Sequence, residues 1–88
     1  MVTYPVHVPR KGYSGGKAAI RQKVVMRNRI AAELERHINE KIAEREEETQ
    51  VYLYYEIARD TGYDVETVKD ILFGVDCGHN GFTVSKSK

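Results

Sequence analysis

Apolar residues in the first half of the chain recur at a helical spacing. Residues 17–48 contain neither proline nor glycine and are rich in Ala, Glu, Lys, Arg and Leu, which favour helix. At 100° per residue, Ile20, Val24, Ala31, Leu34, Ile38 and Ile42 share a sector about 80° wide. This pattern predicts one long amphipathic helix over 17–48, with Ser14 as a candidate cap near its start. Arg27 lies inside the apolar stripe, so either the helix breaks near Arg27-Asn28 or its first turns extend beyond the core, and the side chain must reach solvent, DNA or an acidic partner, because an unpaired buried charge is too costly. A helix of this length spans about 48 Å. A compact chain of this size is only about 30 Å across. The half from Leu34 to Ile42 is therefore expected to pack on the rest of the chain. The half from Ile20 to Ile30 is expected to overhang and meet a second copy. Val25, Met26 and Ile30 lie off the main stripe and add apolar surface for that contact.

The second half switches period several times. Glu46-Glu47-Glu48 suits a helix C-terminus poorly, since anions oppose the dipole there, so a boundary is expected near Thr49. Gln50 to Tyr54 is aromatic and β-branched, as in a short strand. Residues 54–61 read as a short helix stopped by Gly62. Residues 64–73 read as another, capped by Asp64, carrying Val65, Val68, Ile71 and Leu72 on its apolar side and stopping at Gly74. Val75-Asp76-Cys77 and Phe82-Thr83-Val84 flank Gly-His-Asn-Gly, which predicts a β-hairpin over 75–84. Residues 85–88 read as a tail. The fold class expected is mainly α with a small β-hairpin, a single domain over 17–84.

Both prolines and three of the glycines fall in residues 1–16, which read as a flexible basic arm with a short extended piece at Val6-His7-Val8. Deleting residues 1–11 is then expected to leave the fold intact. Charge sharpens this division. Residues 1–32 hold seven basic side chains and no acidic one, while the remainder holds seven basic and thirteen acidic, so the net charge of +1 conceals a strong asymmetry. A basic first third suggests a polyanionic partner.

Residues 57–72 read Ile-Ala-Arg-Asp-Thr-Gly-Tyr-Asp-Val-Glu-Thr-Val-Lys-Asp-Ile-Leu. Ala58 is small where two helices would cross. Gly62, four residues on, suits a left-handed turn. Tyr63 follows as a large core residue, and Val68 and Ile71 point inward. The stretch resembles the helix-turn-helix of bacterial repressor headpieces. The order helix, strand, helix, helix, hairpin resembles a winged helix-turn-helix preceded by a long N-terminal helix. The resemblance implies a small transcription regulator that binds double-stranded DNA as a homodimer, reading the major groove with residues 64–70. It implies base contacts from Val65, Glu66, Lys69 and Asp70, with Val65 suited to a thymine methyl and Glu66 to cytosine N4. Backbone contacts are implied for Arg10, Lys11, Lys17, Arg21, Thr67, His79 and Asn80, Arg10 and Lys11 resembling minor-groove arms. The recognition segment is itself acidic, with Asp64, Glu66 and Asp70 against Lys69. Affinity would have to come from the basic first third.

Other chemistry is poorly supported. Gly12 to Ala18 is one residue short of a phosphate loop and lacks its hydroxyl residue. Cys77 and His79 form a lone pair where zinc wants four ligands. Glu44 to Glu48 reads as a solvated acidic run. The tyrosines and phenylalanines are expected mainly to fill the core. No enzyme activity, cofactor, metal, small-molecule substrate or membrane association is expected. The lone cysteine and the absence of an apolar leader suggest the cytoplasm. The alternative reading is a protein-interaction module that uses the acidic helix and the long pairing helix without DNA.

Overall fold

The computed structural model describes residues 1–12 and 16–87. It is mainly helical, with three helices and a small three-stranded sheet among the described residues. The order is β1 (Val2–Thr3), α1 (Ala18–Glu44), β2 (Thr49–Leu53), α2 (Tyr54–Thr61), α3 (Val65–Asp76) and β3 (Gly81–Ser85). The candidate cap Ser14 lies outside the described residues.

Helix α1 runs unbroken through Arg27-Asn28 and stops at Glu44, so the acidic run 46–48 falls beyond it. Only its second half is fully buried, at Ala31, Leu34, Ile38 and Ile42. Val24 is half-buried, and Ile20 at the far end of the same stripe is 53% exposed. The molecule measures 45 × 26 × 22 Å, its long axis matching the roughly 40 Å of a 27-residue helix. The open end of α1 is closed by Gln50. This buried side chain donates from Nε2 to the carbonyls of Ile42 (3.2 Å) and Glu47 (3.0 Å) and accepts from the Tyr52 hydroxyl.

Strand β3 is the centre of the sheet, in the order β1-β3-β2. It pairs antiparallel with β2, Tyr52 opposite Phe82, and parallel with β1, Val2 opposite Val84. Alternate residues Gln50, Tyr52, Phe82 and Val84 face the core. The rings of Tyr52 and Phe82 stack with centroids 6.1 Å apart.

Two expectations are overturned. The hairpin over 75–84 does not form: Val75 and Asp76 are the last residues of α3, and β3 pairs with β2 and β1 instead. The helical stripe Val68, Ile71, Leu72 continues to the half-buried Val75, and this burial outweighs the local turn signal. Gly74 does not end the helix. A Cβ there would lie 3.2 Å from Pro9 Cγ, so its bare backbone makes room for the N-terminal segment. Helix α3 ends instead at Cys77, whose φ of 52° is left-handed and whose N–H donates to Phe73 O (2.8 Å).

The second correction concerns the arm. Within residues 1–12 the chain is docked along α1 rather than free. Val6 is 0% and Val8 3% exposed. Three α1 side chains hold the backbone between and around them. Asn39 accepts from Val6 N–H (2.8 Å) and donates to Val6 O (2.9 Å). Asn28 does the same for Lys11, both at 2.9 Å. Glu35 accepts from Val8 N–H (2.8 Å) and pairs with Arg10 at 3.3 Å. Burial opposes ionisation of Glu35, but the Val8 N–H and the Arg10 guanidinium outweigh it and lower its pKa. Val6 and Val8 join the buried core, held against α1, which explains why a segment of turn-forming composition is ordered.

Candidate nucleic-acid interface

Helices α2 and α3 are joined by Gly62, Tyr63 and Asp64. Gly62 has a φ of 81° and donates its N–H to Ala58 O (2.8 Å), ending α2 in the left-handed conformation that glycine adopts at least cost. Ala58 and Ile57 are buried between the helices. Tyr63 is half-buried, and its hydroxyl donates to Glu33 of α1; this hydrogen bond to a carboxylate raises the phenol pKa. Asp64 caps α3, accepting from Glu66 N–H at 3.1 Å. Val68, Ile71 and Leu72 face inward, so α3 turns Val65, Glu66, Lys69, Asp70 and Phe73 outward.

The acidity of this helix is partly neutralised from within. Asp64 is engaged as a cap. Asp70 is paired with Arg27, whose Nε lies 3.5 Å from its carboxylate and whose Nη2 donates to Asp70 O (3.3 Å). The interrupting arginine of the α1 stripe thus reaches an acidic partner on α3. The outward charges left on α3 are Glu66 and Lys69 and, at its C-terminal end, Asp76.

The anticipated residues separate into three groups. Val65, Glu66, Lys69, His79 and Asn80 line one cleft of about 200 Å³ with Tyr54 and Tyr55. Asp70 and the half-buried Thr67 line the adjoining groove between α3 and α1, with Lys23 and Met26 on its other wall. Arg10, Lys11, Lys17 and Arg21 belong elsewhere: Arg10 is tied to Glu35, the Lys11 backbone to Asn28, and Lys17 and Arg21 lie at the tip of α1. Sequence reasoning missed Tyr55 as a site residue. It is exposed on the first turn of α2 beside the cleft, and its place next to the buried Tyr54 was a usable signal.

A second exposed surface lies on the overhang of α1. Ile20, Val25 and Met26 are each about half exposed, and Ala18, Gln22, Val25 and Met26 form a continuous patch with Arg21 and Arg29. No helix among the described residues is long and apolar enough to cross a membrane. Comparison with protein-family models, curated proteins and solved structures returns no match for this chain.

Proposed function

We infer that the chain is a small DNA-binding regulator whose α3 enters the major groove of duplex DNA. One observation carries this reading. A two-helix unit with a left-handed glycine turn presents Val65, Glu66 and Lys69 on an outer face, beside the exposed His79 and Asn80. The fold reading that accompanies it is a winged helix-turn-helix order with the wing cut back to the turn 77–80. Internal pairing of Asp70 with Arg27 reduces the repulsion α3 would meet from phosphates. Lys23, on the wall of the groove against α3, supplies positive charge next to that face, and Lys17, Arg21 and Arg29 add positive charge farther along the overhang.

The overhang also supports a homodimer, because its apolar patch is unburied within one chain and a two-fold pair doubles the base contacts. A second reading rests on the same patch: a protein-interaction module that does not bind DNA. Fluorescence anisotropy with a labelled mixed-sequence duplex separates them. The DNA reading expects binding that weakens steeply between about 50 and 200 mM salt. No binding at low salt refutes it. Light scattering on wild type and on Val25→Glu/Met26→Glu tests assembly, with two-chain mass expected for the first and one-chain mass for the second.

A further inference from the structure

The turn between α3 and β3 is exposed, yet its backbone is fixed from behind. Tyr54 holds it at both ends: its N–H donates to Asn80 O (2.8 Å) and its hydroxyl to Gly78 O (2.8 Å). Burial raises the Tyr54 phenol, and Asp76 and Cys77 add to this, so the donor proton stays in place at neutral pH. A Cβ on Gly78 would sit 2.0 Å from Gly81 O, and one on Gly81 would sit 2.0 Å from Tyr52 O, so this backbone is packed against backbone. The side chains on this rigid turn and those that face it from α2 and α3 are used differently. Those of His79, Asn80, Lys69 and Tyr55 make no hydrogen bond or ion pair among the described residues. Elsewhere Arg10, Arg27, Arg36, Lys41 and Arg59 are all committed to carboxylates.

We propose that the cleft formed by Tyr55, Lys69, His79 and Asn80 seats one phosphodiester of the DNA backbone and so fixes the depth and angle of α3 in the groove. The proposal rests on the DNA reading above and names the phosphate contact within it. Phosphodiester oxygens accept hydrogen bonds and carry negative charge. The cleft gathers a phenol O–H, an ammonium, an imidazole N–H and a carboxamide NH₂ from three separate segments. Glu66 lines the same cleft and opposes an anion, which requires the phosphate to sit towards the turn and away from the first turn of α3. Preorganisation is the advantage, since the turn is already fixed by Tyr54 and needs no ordering on binding.

The test uses the full chain and a mixed-sequence duplex, with Tyr55→Phe, His79→Ala and Lys69→Gln checked for unchanged melting. Each variant is expected to weaken binding about ten-fold, by a similar factor on unrelated sequences. Lys69→Gln is also expected to lower the salt slope by about 0.9. A series of duplexes with single methylphosphonates should contain one position at which wild type loses the same factor and Tyr55→Phe loses nothing further. Wild-type binding with all three variants at wild-type affinity would overturn the proposal while leaving the DNA reading standing. Failure of wild type to bind any duplex would remove both.

Discussion

Replacing Val6 by alanine tests whether residues 1–11 are structural. Val6 is fully buried, so the change removes two methyl groups from a closed site and leaves a cavity beneath α1. Each buried methyl is worth about 0.8 kcal/mol, and incomplete collapse of the cavity adds to this, giving a loss of about 2 kcal/mol. A domain of this size has a total stability of about 4–13 kcal/mol. At about 4–8 °C per kcal/mol, the melting temperature should fall by roughly 8–16 °C, read by far-ultraviolet circular dichroism. Asn39→Ala should cost a comparable amount, because it strands the N–H and C=O of Val6, a residue already closed to water. Arg10→Ala should cost less than about 1 kcal/mol, since the Arg10–Glu35 pair is solvent-exposed. Deletion of residues 1–11 removes Val6, Val8 and the packing of Val2 and Tyr4 together and should leave a chain that no longer melts cooperatively. A truncated protein melting within a few degrees of full length would refute the reasoning and restore the picture of a free arm.

Gly62→Val forces a β-branched residue to a φ of 81° and should lower stability by more than about 1 kcal/mol, seen as a fall of several degrees in melting temperature. Cys77→Gly should do the opposite, gaining about 0.5–1 kcal/mol in urea unfolding, because Cys77 carries a left-handed φ at an exposed helix end. Acid should unfold the protein through Asp60 and Glu35. The hydrogen bond from Lys41 lowers the pKa of Asp60, and the contacts described above lower that of Glu35. Both are depressed in the folded state, so their contributions are complete above the ordinary carboxylate range and are lost as pH falls through the lowered values. Lys41→Met should make the acid transition begin at higher pH, as followed by circular dichroism.

The helical portion was legible because its signals agree. The stripe Leu34–Ile38–Ile42, the left-handed glycine at 62 and the cap at Asp64 each point to the elements found. The misread parts depend on partners distant in sequence. Val6 and Val8 look like an ordinary alternation until Asn39 and Glu35, about thirty residues away, supply the other half of each hydrogen bond. The Gly-His-Asn-Gly turn carries a genuine hairpin signal, but β2 reaches β3 first in space and leaves Val75 to the helix. At the candidate interface the α3 residues follow from helical periodicity. Asp70 could not be recognised as neutralised, because its partner Arg27 lies 43 residues earlier.

The continuity of α1 through Asn28 makes it a ruler as well as a scaffold. Its buried half is locked to the core, and Arg27 ties its midpoint to α3, so the azimuth of the Val25–Met26 patch relative to α3 is set by residue count alone. One residue inserted between Met26 and Arg27 would swing everything before it by about 100° relative to α3, whereas seven would bring Val25 and Met26 back to within about 20° while moving them about 10 Å outward. Whatever meets the patch is therefore held in a fixed rotational phase with α3. Two copies joined there would have the spacing and phase of their α3 helices fixed by where the patch falls along α1 relative to Arg27.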